Sequence, residues 1–229
     1  MGQLILVRHG QASFGAADYD VLSETGWAQG RALGAWLKDA GITPTALVHG
    51  SMRRHRETVS AMFDAAKWGD LVVAGDPGWD EFDHVGLMTS QPDAPEGELD
   101  RRAFQEYFEQ VTARWTAGDQ TGAMESYADF LSRVQTSFTR AMGVAGSGET
   151  VLVITSGGPI AAVCASLIDP EGTGAPGAEG QAVTARLWAR LNTVVVNSAM
   201  SRVVVGSTGA RLLTFNEHPH LAEDLLTYR

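Results

Sequence analysis

Apolar residues along the chain follow two rhythms. Leu4, Ile5, Leu6 and Val7 form an unbroken run, which predicts a strand buried on both faces, ending in a cation, an imidazole and a glycine at Arg8, His9 and Gly10. Short runs of the same kind at residues 45–49, 71–74 and 150–155 predict further strands. Residues 194–196, 202–205 and 211–215 read as closing strands, with Ser207-Thr208-Gly209 turning between the last two. The second rhythm is helical. Ser23 reads as an N-cap with Glu24 in the first turn, opening a helix that reaches about Ala40. Its Trp27, Leu33, Trp36 and Leu37 supply apolar bulk, and Gly30 and Gly34 allow close approach to a sheet. Another helix opens at Arg53. Phe104, Phe108, Val111 and Trp115, then Met124, Tyr127, Leu131, Val134 and Phe138, recur at three- and four-residue steps, so each set predicts a helix burying one stripe. Pro159 suits the first turn of a helix that follows the strand at 150–155.

Strands alternating with helices predict an α/β fold: a three-layer α/β/α sandwich with a mostly parallel central sheet, single over residues 1–229, with a helical insertion at about 98–145. Residues 91–97 read as a linker, 11–20 as a loop over the site and 169–181 as a glycine- and proline-rich loop. Open sheets of this class bind ligands beyond the carboxyl ends of their strands, where Arg8 and His9 fall.

At 229 residues and 44% apolar content the chain can bury a full core. Its formal charge of -10, with no basic stretch longer than Arg53-Arg54-His55-Arg56, argues against nucleic acid as a partner. No run approaches the ~18 apolar residues of a membrane span. The start lacks a basic segment and a small-residue cleavage site, and Leu6 stands where a myristoylation motif requires Ser or Thr. The expectation is a cytoplasmic protein with no membrane partner. A single cysteine, Cys164, excludes an intrachain disulfide and reads as a small core residue on a helix.

The candidate chemistry sits at the ends of the predicted strands. Arg8 and His9 are adjacent and would diverge on a strand, so they share a pocket only if the chain turns at Gly10. An arginine fork grips phosphate oxygens, and a neutral imidazole beside it can attack phosphorus; a pair that merely ends the strand is the alternative. Arg54 and Thr58 share a helix face, whereas Arg53 and Arg56 fall on others. The turn residues Gly75-Asp76-Pro77-Gly78 set up Trp79-Asp80-Glu81-Phe82-Asp83-His84, a stretch holding three acids and a histidine. Backbone N–H groups after Ser156 offer an anion cradle. Ser156-Gly157-Gly158 also resembles a nucleophile elbow, although Ile154 occupies the position that pattern gives to glycine. His218 and His220 could be a zinc pair, but without a nearby cysteine or third histidine a structural role is expected.

Taken in order, Arg8-His9-Gly10-Gln11, Leu22-Ser23-Glu24-Thr25-Gly26 with Gln29, Arg53-Arg54-His55-Arg56-Glu57-Thr58, Trp79-Asp80-Glu81, Ile154-Thr155-Ser156-Gly157-Gly158, and Asn216 with His220-Leu221 resemble the motifs of the histidine phosphatase superfamily, the phosphoglycerate-mutase-like fold. The resemblance spans nearly the whole chain. It implies hydrolysis of a small phosphate monoester through a phosphohistidine on His9, without metal or cofactor. Arg8 and Arg54 would clamp the phosphate, Ser156 and Gly157 would line it, and Glu81 would donate the proton to the leaving group, with Asp80 and Asp83 as rivals. Ser156 stands where the family carries its second catalytic histidine, and His55 stands where it usually has alanine. This departure leaves three outcomes open: a slow phosphatase, a phosphoester-binding protein that has lost turnover, or an efficient enzyme in which His84 or His55 replaces the lost imidazole. A mutase reading is weaker because residues 82–100 offer acids rather than the cations a second phosphate requires, and a serine hydrolase using Ser156 is remote. The sequence leaves the natural substrate and the oligomeric state open.

Overall fold

The computed structural model describes all residues except 14–18, 96, 98, 120–124, 171–177 and 229. Six strands, β1 (Gly2–Arg8), β2 (Ala46–His49), β3 (Val72–Gly75), β4 (Thr150–Thr155), β5 (Met200–Gly206) and β6 (Gly209–Glu217), form one sheet in the order β3-β2-β4-β1-β5-β6. The pairings among β3, β2, β4 and β1 are parallel, and β5 and β6 complete the sheet antiparallel. The sheet is therefore mixed, and it ends on two antiparallel strands because a short turn between Gly206 and Gly209 joins β5 to β6 directly.

Seven α-helices are described: α1 (Glu24–Asp39), α2 (Arg53–Ala66), α3 (His84–Thr89), α4 (Arg101–Thr116), α5 (Tyr127–Val144), α6 (Gly157–Ile168) and α7 (Ala178–Asn192). The apolar run of β1 explains the layering. Ile5 and Val7 face a core shared with Leu33 and Leu37 of α1 and with Val59 and Met62 of α2. Leu4 and Leu6 face a second core built from α4, α5, α6 and α7. One strand thus serves two helical layers, and alternate residues point to opposite faces.

Several details depart from the sequence-based expectation. Residues 194–196 are not a strand: the Asn216 side chain donates to Val194 O and accepts from Val196 N, both at 2.8 Å, occupying the groups a strand would offer. Gly30 and Gly34 make room for α2, not for the sheet; a Cβ at Gly34 would lie 2.3 Å from Met62 O. Phe130, not Leu131, sits at the centre of the α5 stripe, while Met124 lies outside the described residues. Helices α3 and α7 occupy stretches whose patterns did not announce them, and residues 178–181, assigned to a loop, begin α7. Cys164 is fully buried on α6, and burial pushes its thiol up to about 12.

Candidate active site

The carboxyl ends of β1, β2 and β4 meet at one place. Arg8 pairs in register with Thr155, and the His9 N–H donates to Thr155 O at 2.8 Å, so His9 and Ser156 follow side by side where the two strands end. Just beyond, the backbone of Gly10 lies against that of Gly26 on α1, where a Cβ on Gly10 would come within 2.4 Å of Gly26 O. The turn at Gly10 exists because neither residue carries a side chain. It is held from α2 by the Thr58 hydroxyl, which accepts from Gly10 N at 3.0 Å and donates to Arg54 O at 2.7 Å. From α1, Gln29 accepts from Gln11 N at 2.8 Å and reaches the carbonyl of Leu225 at 2.7 Å.

His9 is 5% exposed, and its Nδ1 lies 2.6 Å from Gly10 O. A carbonyl only accepts, so Nδ1 carries the proton and the lone pair sits on Nε2. Arg54 Nε donates to that nitrogen at 3.1 Å. Burial, then the charges of Arg54, Arg8 and the neighbouring His55, hold the imidazole well below its ordinary pKa, against the hydrogen bond to Gly10. His9 is therefore neutral at pH 7, with the lone pair of its Nε2 facing an arginine.

Arg54 is buried, whereas Arg53 and Arg56 lie toward solvent; helical spacing sets them on different faces, and it is the Arg54 face that packs inward, as the family resemblance implied. Its Nη1 donates to Asp20 Oδ1 at 2.8 Å, and the other Asp20 oxygen accepts from Arg53 N at 2.7 Å. Arg8 extends from the last residue of β1, one residue beyond the expected strand end. Its Nη1 is anchored by the carbonyls of Val195 and, at 2.9 Å, Tyr228, while the side chain borders the same pocket.

Glu81 is placed by its neighbour. The Phe82 ring is buried in an aromatic cluster with Trp115 at 4.7 Å, Trp188 at 5.7 Å and Phe130 at 5.8 Å. Pairs of this kind add roughly 0.5–1.5 kcal/mol each beyond their buried area, which fixes the backbone carrying Glu81. Glu81 Oε2 accepts from Gly158 N at 3.1 Å. One N–H of the expected anion cradle is thus taken by this carboxylate, and Gly157 alone of the two glycines lines the pocket. Asp80 turns away to accept from the backbone and hydroxyl of Ser51, and Asp83 caps α3 through Gly86 N at 2.8 Å.

These residues enclose a cavity of about 170 Å³ that Arg8, His9, Arg54, Glu81, His84 and Gly157 line together with Tyr19, Phe82, Phe104 and Phe108. A larger groove of about 750 Å³ runs between α4 and α7, but it holds none of the candidate catalytic or phosphate-binding residues. Ser156 is fully buried and does not line the smaller cavity; its hydroxyl lies 2.8 Å from His55 Nε2. His84 borders the cavity near Tyr19 and Phe82, and burial lowers its pKa. Sequence reasoning missed the aromatic wall from α4 and the contribution of Asn192 and Thr193 at the end of α7. The stripe of Phe104 and Phe108 was visible, but it read as core because helical spacing does not distinguish a buried face from one that borders a cleft.

His218 donates from Nδ1 to Asn216 O at 2.7 Å, and His220 lies against Trp36 with ring centroids 6.3 Å apart. Among the described residues no group of three or more His, Cys, Asp or Glu side chains is arranged to hold a metal ion, and no helix is long and apolar enough to cross a membrane.

The family model for the histidine phosphatase superfamily (branch 1) matches residues 4–176. Comparison with curated protein sequences finds no match. Among solved structures the chain is similar to YhfR from Bacillus stearothermophilus, with a TM-score of 0.66 at 17% identity over 95% of this chain and 98% of the other. It is also similar to the mycobacterial glucosyl-3-phosphoglycerate phosphatase, with a TM-score of 0.62 at 20% identity over 94% and 99%. A third, the H9A mutant of phosphoserine phosphatase from Entamoeba histolytica in complex with phosphoserine, gives 0.65 at 14% identity over 97% and 100%.

Proposed function

Because this chain belongs to branch 1 of the histidine phosphatase superfamily, we propose that it hydrolyses small phosphate monoesters through a phosphohistidine formed on His9. The observation that carries this reading is the hydrogen bond from His9 Nδ1 to Gly10 O, which leaves the Nε2 lone pair facing Arg54 in a cavity that Glu81 also lines. In the first step a P–Nε2 bond forms as the ester P–O bond breaks, and protonated Glu81 gives its proton to the leaving oxygen. In the second, water attacks phosphorus, Glu81 takes a proton from it, and the P–N bond breaks to release orthophosphate and neutral His9. Arg54, with Arg8 beside it, neutralises the phosphoryl oxygens in both steps.

Phosphatase is favoured over mutase by the wall of the cavity. Its lining cations among the described residues are Arg8 and Arg54, and the remaining walls are largely aromatic. One phosphoryl group is accommodated, and the leaving group packs on Phe82, Phe104 and Phe108. Ser156 stands in for the family's second histidine. Its complete burial is against a role as a serine nucleophile, despite the His55 nitrogen beside its hydroxyl.

Quenching the protein in alkali during turnover of a phosphate ester should trap acid-labile phosphate on the wild type and none on His9→Ala. Labelling that survives the substitution, or no hydrolysis of any ester at high protein concentration, would remove the reading.

A further inference from the structure

His55 is fully buried, although a histidine at the third position of a helix could have faced water. Its ring lies between two residues of the site. The His9 ring centroid is 5.6 Å away, and the Ser156 hydroxyl is 2.8 Å from Nε2. On the other side Asp80 Oδ1 lies 3.7 Å from Nδ1. Two further observations show that the surroundings are fitted to this arrangement. A Cβ on Gly50 would come within 2.3 Å of His55 Nδ1 and 2.6 Å of Asp80 Oδ1, so only glycine leaves space for the pair. Ser156 occupies the N-cap of α6 without making a side-chain cap, a bond an N-cap serine normally makes; its hydroxyl contacts the imidazole instead.

The groups facing His55 are Arg54 and Arg56 from its own helix, His49 from β2, His9 from the end of β1, and Asp80 from the loop after Trp79. In the unliganded site burial, then Arg54 and His49, outweigh the backbone hydrogen bond to Gly50 and hold the His55 ring well below its ordinary pKa, so it is neutral. A phosphoryl dianion arriving at His9 and Arg54 reverses that balance, because it adds two negative charges one imidazole away while Arg54 is already engaged by it.

Resting on the phosphohistidine reading, we propose that His55 is a positioning residue that takes up a proton when a phosphoryl dianion binds. The imidazolium then faces Asp80 through Nδ1 and donates from Nε2 to Ser156 Oγ, which turns the serine hydrogen away from His55. The proton comes from solvent and returns to it when orthophosphate leaves. In this way an imidazole carried on α2 supplies, through Ser156, the positive charge that a histidine at position 156 would carry itself.

Tungstate is a suitable probe, being a tetrahedral dianion that does not itself titrate near pH 7. Calorimetry of tungstate binding in buffers of different ionisation enthalpy gives the number of protons taken up. About one proton per tungstate is expected for wild type, the same for His9→Asn, and close to none for His55→Asn, since linkage ties uptake to the group whose pKa rises. Turnover should fall by about 10²-fold in His55→Asn, the usual cost of a lost preorganised donor. The exchange His55→Ala with Ser156→His, which returns an imidazole to the same volume, should recover at least tenfold of that loss. Should His55→Asn not fold, Ser156→Ala reports instead, with the proton count falling below half.

Binding without proton uptake in the wild type, or uptake that persists in His55→Asn, overturns the role of His55 while leaving the phosphohistidine intact. No tungstate binding by a wild type that also forms no phosphohistidine overturns both. A loss in His55→Asn that is confined to thermal stability, with turnover and proton count unchanged, shows His55 to be packing alone.

Discussion

The starts of α2 and α6 are built alike and charged differently. Each follows a parallel strand at its carboxyl end, β2 or β4, and neither N-cap residue, Met52 or Ser156, makes a side-chain cap. Helix α2 opens with Arg53, Arg54 and Arg56, cations at the end where the helix dipole is already positive. Helix α6 opens with two glycines and a proline, and one of its N–H groups holds the Glu81 carboxylate. The unfavourable charge at α2 is relieved by Asp20, drawn from the loop before α1, on Arg54 and by Glu57 of the same helix on Arg53. A phosphoryl dianion would relieve it further. One helix start thus holds carboxylates with its side chains, while the other uses its backbone to hold the residue proposed as the acid. His55 to Ser156 is the hydrogen bond that joins them.

The largest effect should come from the α2 side. Arg54→Lys keeps the charge but loses the fork that spans His9 Nε2 and Asp20, so kcat/KM on any monoester should fall about 10²–10³-fold. Steady-state kinetics on nitrophenyl phosphate measure it, and wild-type rates in this variant would show that the guanidinium is not a clamp.

On the α6 side the corresponding change is Gly158→Ala, whose new Cβ would stand 2.1 Å from Glu81 Oε1 and displace the carboxylate. Esters with poor leaving groups should slow about 10–100-fold, while nitrophenyl phosphate, whose leaving group needs little protonation, changes far less. Glu81→Gln should reproduce that selectivity. If both esters lose equally in the two variants, the Gly158–Glu81 contact serves structure and the proton comes from another group.

These two sides were unequally legible in the sequence. The first and fourth strands and the N-cap at Ser23 follow from apolar runs and helical spacing, which are local; spacing separated the faces of Arg53, Arg54 and Arg56, but only the family resemblance chose Arg54 as the inward one. What escaped was set by distant partners. The strand expected at residues 194–196 fails because Asn216, with φ of 60°, reaches back across twenty residues to occupy its backbone groups. Asp80 is drawn from the cavity by Ser51, and the Gly158 N–H, read as part of an anion cradle, is filled by Glu81. His55 and His84 were equal candidates by type. Packing separates them: His55 contacts Ser156 and His9, whereas His84 lies near Tyr19 and Phe82.

Asp20 tests whether the charge at α2 is relieved only in part. Its half-exposed carboxylate occupies Arg54 Nη1 and would repel an incoming dianion. Removing one like charge at about 6 Å near the surface is worth about 1 kcal/mol, so Asp20→Asn should bind orthophosphate about fivefold more tightly. Weaker binding in this variant would instead show that Asp20 serves to aim the guanidinium.

The smallest effect is on stability and distinguishes the bridge from a half-buried histidine outside it, His220. Burial lowers the folded-state pKa of His9, His55 and His84, and that of His220 to about 4. Above the unfolded value of about 6.5 these rings are neutral in both states and add no pH dependence. As pH falls below that value, the unfolded chain binds protons that the folded chain refuses, so stability declines with acidification. For His220 the decline runs from about pH 6.5 down to its folded pKa of about 4 and then stops, because below that both states are protonated. Urea midpoints measured across this window should fall less steeply in His220→Asn than in wild type. Saturating tungstate should also flatten the wild-type slope, by letting His55 ionise in the folded protein, yet leave the His220 share untouched. A tungstate effect that vanishes in His220→Asn would place the responsive imidazole outside the α2–α6 bridge.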